Sequence, residues 1–111
     1  MKEVIPLSVE VSPKADEWIM SLKDLQGRAE ILDRLLRLGQ GLFGERRDLK
    51  DGLWELKIDT GPGYRLYYMM RGRIAVLVLA GGTKKGQEKD IKAAKAIVKK
   101  IREEEKKNGG N

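Results

Sequence analysis

The sequence contains no cysteine and no histidine. Without cysteine there is no disulfide framework and no thiolate metal site. Without histidine the chain lacks the side chain that most often serves as a general base near neutral pH and most often ligates metals. Aromatic residues are scarce at 5%, and there are only three prolines. Long apolar runs are missing too: the longest, Ile74 to Ala80, falls far short of the roughly 20 residues that cross a bilayer. Met1 to Val11 shows neither the apolar stretch nor the small-residue cleavage site of a signal peptide. A soluble, cytoplasmic protein with no membrane partner is expected.

What is present suits one packed domain. Of 111 residues, 41% are hydrophobic and 36% charged, a balance that supports a modest core and argues against disorder along the main body. We expect a single domain over residues 1–107 and a disordered tail at 108–111, where Asn108-Gly109-Gly110-Asn111 frays the end. The net charge of +6 is unevenly placed. Residues 1–43 carry six basic and seven acidic groups, and residues 44–100 carry fourteen and seven. The positive field belongs to the later part of the chain, where it either attracts a polyanion or forms a solvated lysine-rich surface.

The elements can be read from periodicity and punctuation. Val4 to Val11 predicts a strand, and Pro6 gives it an edge position or a late start. Ser12-Pro13 is a helix start, followed by Ala15, Trp18, Ile19 and Leu22 at helical spacing. Asp24 caps a second helix with Ala29, Leu32, Leu35 and Leu36 as its stripe, ended by Gly39 and Gly41. Gln40 to Gly52 reads as a polar loop carrying Arg46-Arg47. From Leu53 the period becomes two. Trp54, Leu56 and Ile58 alternate with Glu55, Lys57 and Asp59, Gly61-Pro62-Gly63 turns the chain, and Tyr64, Leu66 and Tyr68 alternate with Arg65, Tyr67 and Met69. After a turn at Arg71-Gly72, Arg73 to Leu79 predicts a central strand covered on both faces. A last helix begins near Gln87, with Ile91, Ala94, Val98 and Ile101 on one side. The expected fold is α+β, an antiparallel meander in the order β-α-α-β-β-β-α, with an N-terminal helical hairpin, a C-terminal helix and all helices on one face.

Strand alternation places Lys57, Arg65 and Tyr67 opposite the core residues. A turn centred near Pro62 pairs Lys57 with Tyr67 and Asp59 with Arg65, and Lys84 and Lys85 reach the rim from the end of the central strand. Such a groove, cationic and without an acidic cluster for Mg²⁺, suits RNA cleavage by the strand's own 2′-hydroxyl. Arg65 would grip phosphate oxygens in a fork. Lys57 would act as a base only if neighbouring cations and desolvation depressed its pKa. Tyr67 would stack on a base or donate to a leaving oxygen. Arg46, Arg47, Arg73 and Lys89 are further candidates for the RNA backbone. On pattern alone each also has an ordinary reading, as solvated surface cations or, for Tyr67, half-buried packing.

The run Trp54-Glu55-Leu56-Lys57-Ile58-Asp59, then Gly61-Pro62-Gly63-Tyr64-Arg65-Leu66-Tyr67, then Ala80-Gly81-Gly82-Thr83-Lys84-Lys85 resembles the phage-derived addiction-module killer proteins. These belong to the RelE/HigB branch of the RelE/ParE toxin superfamily. Gln87 to Ile91 with Ala94 and Lys95, and upstream Trp18, Leu22, Arg28, Ile31, Leu32, Arg34 and Leu35, extend the likeness over nearly the whole chain. The resemblance implies a RelE-like fold and the toxin of a type II toxin–antitoxin module. It implies an mRNA interferase, a ribosome-dependent endonuclease that engages rRNA and mRNA, needs no cofactor and is neutralised by a cognate antitoxin. It further implies that Arg65 contacts the scissile phosphate, with Lys57 and Lys84 or Lys85 in the same site. Some relatives use a late tyrosine and others a histidine, yet no aromatic residue follows Tyr68 here. Two alternatives share the fold: a ParE-like inhibitor of DNA gyrase, and a catalytically inactive relative that binds only antitoxin or nucleic acid.

Overall fold

Ser12 and Asp24 set the two N-terminal helices. The Ser12 side chain accepts from the Ala15 N–H at 3.1 Å and Pro13 occupies the first turn, opening α1 (Pro13–Ser21). Asp24 does the same for α2 (Leu25–Gly39), accepting from the Gly27 N–H at 3.0 Å. These features come from a computed structural model that describes residues 6–72 and 75–109. Four further elements follow α2: β2 (Arg46–Asp48), β3 (Trp54–Ile58), β4 (Tyr64–Arg71) and β5 (Ala75–Thr83). A 3-10 turn, Lys84–Gly86, then leads into α3 (Gln87–Gly109), and β1 (Ser8–Val11) precedes α1. Among the described residues no helix is long and apolar enough to cross a membrane.

The five strands form one sheet in the order β1-β5-β4-β3-β2. β1 is an edge strand beginning at Ser8, as Pro6 suggests; Val4 and Ile5 lie outside the described residues. It runs parallel to β5, and the other pairs are antiparallel. The fold is α+β; the parallel β1–β5 pair departs from the expected antiparallel meander, and three further departures follow. Arg46 to Asp48 is a strand and not loop, because its backbone pairs with β3 although its side chains carry no β signature. Asn108 and Gly109 continue α3. The third departure is that helices cover both faces of the sheet.

One face holds Ile19, Ile31 and Leu38 of α1 and α2 against Leu56, Leu66, Tyr68, Val76 and Val78. The other holds Ala94 and Val98 of α3 against Leu53, Tyr67, Met69, Leu79 and Ala80. Leu79 and Ala80 share a face because of a bulge: Tyr67 pairs with Ala80 while Tyr68 pairs with Val78, leaving Leu79 as the extra residue. The bulge inverts the alternation for the end of β5. Gly81 then lies under the Trp18 ring and Gly82 under the Asp90 carboxylate, so each absent side chain lets an element close down on the sheet.

Ser12 also satisfies the bulge, its hydroxyl donating to the Leu79 carbonyl at 2.9 Å. Ser12→Ala removes a cap, which costs about 1 kcal/mol, and leaves that carbonyl short of a donor. The expected loss is about 2 kcal/mol in a denaturant titration, against about 0.5 kcal/mol or less for an ordinary surface substitution.

Asp24 ties α2 to the sheet by accepting from the Tyr64 hydroxyl at 2.8 Å. The Gly27 N–H and then the Tyr64 hydroxyl hold its carboxyl below the usual carboxylate range. The same bond, with burial, pushes the Tyr64 phenol up. Because the folded-state value is depressed, the stability this carboxylate supplies is complete above its unfolded pKa of about 4. It is lost as pH falls through the lowered folded value. Thermal melts of wild type and Asp24→Asn should therefore converge as pH drops below about 4; a constant difference would show that ionisation of Asp24 contributes nothing.

Candidate active site

The register of the central hairpin decides which side chains meet. Lys57 pairs with Arg65 and Glu55 with Tyr67, two residues away from the predicted pairing of Lys57 with Tyr67. The turn is centred on Gly61, not on Pro62, and this shift brings two cations side by side. β2 adds Arg47 opposite Glu55.

The result is a cleft of about 370 Å³ lined by Glu45, Arg46, Arg47, Glu55, Lys57, Arg65, Lys84 and Gln87. Five cationic and two acidic residues thus border the cleft. Arg65 is 2% exposed, a guanidinium built into the wall. Its Nη1 donates to the Tyr64 carbonyl at 3.0 Å and its Nε lies 3.7 Å from Glu55 Oε1. Glu55, also 2% exposed, accepts from Gln87 Nε2 at 2.7 Å and from Arg47 Nη2 at 3.4 Å. One buried carboxylate therefore collects an arginine from β4, an arginine from β2 and the amide that begins α3. A buried charge persists only when paired in this way.

Lys57 is half-exposed, with Nζ 3.8 Å from Glu45 and 4.0 Å from Asp59. Its ion-pair partners are thus carboxylates, while its cross-strand neighbour is Arg65. Arg34 braces the strand end from behind, donating to the carbonyls of Lys57 (2.8 Å), Phe43 (3.1 Å) and Glu45 (3.2 Å). Lys84 is placed by its backbone N–H, which donates to the Gly63 carbonyl at 2.8 Å and ties the 3-10 turn to the hairpin turn.

The other candidates lie elsewhere. Tyr67 is on the predicted face, but α3 covers that face and the side chain is 0% exposed, which rules out stacking on a base in this conformation. Its hydroxyl has no hydrogen-bond partner among the described residues. Burial first, then the charges of Glu55 and Asp90, push the phenol well above its ordinary value. Lys85 and Lys89 are exposed beside a separate depression of about 570 Å³ that Lys84 also borders. Arg46 and Arg47 diverge as neighbours on a strand must. The Arg46 guanidinium stacks 3.9 Å from the Phe43 ring centroid and 4.6 Å from that of Trp54, while Arg47 turns to Glu55. Arg73 lies outside the described residues. Glu55, Gln87 and Glu45 were not singled out by sequence. Glu55 shares one strand face with Lys57 and lies in the Trp54–Asp59 run, the signals that pointed to it.

The family described as "Phage derived protein Gp49-like (DUF891)" matches residues 17–106. The chain belongs to that family. The Gp49-like match spans every residue that lines the cleft. An uncharacterized protein of Haemophilus influenzae is 42% identical over 86 residues, covering 78% of this chain and 87% of that protein. Among solved structures, a mutant of the E. coli toxin RelE in the free state superposes with a TM-score of 0.65 at 18% identity, over 84% of this chain and 99% of that one. This Gp49-like chain therefore has a RelE-like fold.

Proposed function

We propose that this protein is the toxin of a type II toxin–antitoxin module and acts in the cytoplasm as a ribosome-dependent mRNA endonuclease. The observation that carries the reading is Arg65: a guanidinium fixed in the wall of a cleft whose exposed rim adds Arg47, Lys57 and Lys84. Membership of the Gp49-like family and the shared fold with a RelE toxin support it.

In this reading the 2′-oxygen of the RNA attacks the adjacent phosphorus, the bond to the 5′-oxygen breaks, and a 2′,3′-cyclic phosphate forms. Negative charge builds on the non-bridging oxygens, and pre-placed donors in a partly closed site stabilise it without reorganising. Arg65 supplies a planar fork to the phosphate, and Lys57 and Lys84 supply point charges around it. Glu55, Gln87 and Arg34 touch no substrate; they position Arg65, Arg47 and Lys57. The protein partner in this reading is a cognate antitoxin. The nucleic-acid partners are mRNA and the rRNA around it.

Controlled expression followed by mapping of mRNA 5′ ends tests the reading. We expect growth arrest with new, codon-positioned 5′ ends that vanish in Arg65→Ala. Arrest with intact mRNA and inhibited gyrase would replace it with the ParE-like reading.

A further inference from the structure

α3 follows the β2–β3 hairpin well beyond the cleft. Gln87 meets Glu55 in mid-hairpin at 2.7 Å, and Lys95 Nζ pairs with Asp51 in the hairpin turn at 3.3 Å. Further along, the Arg102 guanidinium rests on Gly52. A Cβ at Gly52 would stand 2.6 Å from Arg102 Nη2, and the residue has φ +83°, so glycine both makes the turn and opens the seat. Between helix and turn lies a groove of about 620 Å³. Four cations, Lys95, Lys99, Arg102 and Lys106, line it at spacings that share one face of α3, against two carboxylates, Asp51 and Glu103. Lys95 is paired with Asp51, whereas Lys99, Arg102 and Lys106 have no ion-pair partner among the described residues.

The β2–β3 hairpin borders both cleft and groove, and α3 begins at the one with Gln87 and lines the other. From Gln87 to Lys106 the helix rises about 28 Å at 1.5 Å per residue. Positive charge in single file along a rigid helix, leading away from a cationic cleft, fits a polyanion with regularly spaced charges better than it fits a compact ligand.

We propose that this groove is a second phosphate-binding site, holding the backbone of a single-stranded RNA whose reacting part lies in the Arg65 cleft. The proposal rests on the RNA reading above. The groove supplies affinity and direction and takes no part in bond breaking.

Fluorescence anisotropy with uncleavable 2′-O-methyl RNAs of about four and about sixteen nucleotides tests it. The full-length protein should bind the long RNA more tightly than the short one. Lys99→Glu with Lys106→Glu should weaken the long RNA at least about tenfold, leave the short one unchanged, and reduce the salt slope of the long one by about 1.4. Lys14→Glu with Lys23→Glu, exposed on and just after α1, should change neither. Unchanged long-RNA affinity in the first variant, or an equal loss in the second, overturns the inference while leaving the cleft reading intact. If neither RNA binds wild type, the groove proposal falls, while the ribosome-dependent cleft reading is decided separately by the mapped mRNA 5′ ends. If a glutamate-rich peptide binds in a Lys99- and Lys106-dependent manner and RNA does not, the groove is a site for acidic polypeptide and the proposal is wrong.

Discussion

Arg65→Ala is expected to slow cleavage of mRNA on programmed ribosomes by about 10²- to 10³-fold, the usual effect of removing one pre-placed donor from a charge-stabilising site. The guanidinium reaches the cleft already oriented, held by the Tyr64 carbonyl on one side and Glu55 on the other. Alanine leaves the phosphate with only the rim charges of Arg47, Lys57 and Lys84. Arg65→Lys separates charge from geometry: it keeps a cation but loses the fork, so its rate should fall between wild type and alanine. Thermal melts of both variants show whether the fold survives the change. A folded Arg65→Ala protein that cuts at the wild-type rate would remove Arg65 from the chemistry.

Glu55→Ala is expected to have the largest effect on stability, about 3 kcal/mol, the low end for breaking a buried ion pair. The low end applies because the Arg65 contact is 3.7 Å and Arg47 stays solvated with its side chain 58% exposed. For a domain of this size the melting temperature should fall by about 10 °C. The reason is the partner left behind: Arg65 is 2% exposed, and without Glu55 its charge is buried and unopposed. Glu55→Gln still offers an oxygen to Gln87 but no charge to Arg65, so it should lie between wild type and alanine. If Glu55 positions Arg65, cleavage should fall in Glu55→Gln through the maximal rate more than through apparent affinity. A Glu55→Ala protein as stable as wild type would mean that the network does not hold the cleft wall.

Much of this arrangement was legible in the sequence. Alternation from Trp54 to Tyr68 assigned Arg65 and Lys57 to one sheet face because the period of a strand leaves no choice. Ser12 and Asp24 announced their helices because a side-chain oxygen before an apolar period has one good use. The register was not legible. Gly61, Pro62 and Gly63 each suit a turn centre, and moving the centre by one residue moves the pairing by two. Nor was the covering of Tyr67. The stripe of Ile91, Ala94 and Val98 shows that α3 is amphipathic but not which sheet face it buries. The bulge at Leu79 was hidden in an apolar run, and Glu55 looked like any outward acid until strand pairing and α3 surrounded it.

The chemistry of the cut ends tests the central claim most directly. The protein should be incubated with programmed ribosomes and the fragments analysed by mass spectrometry. Attack by the strand's own 2′-hydroxyl predicts a 2′,3′-cyclic phosphate or its opened 3′-phosphate on the upstream fragment and a 5′-hydroxyl on the downstream one. A 3′-hydroxyl paired with a 5′-phosphate, or no cut at all, would contradict the account.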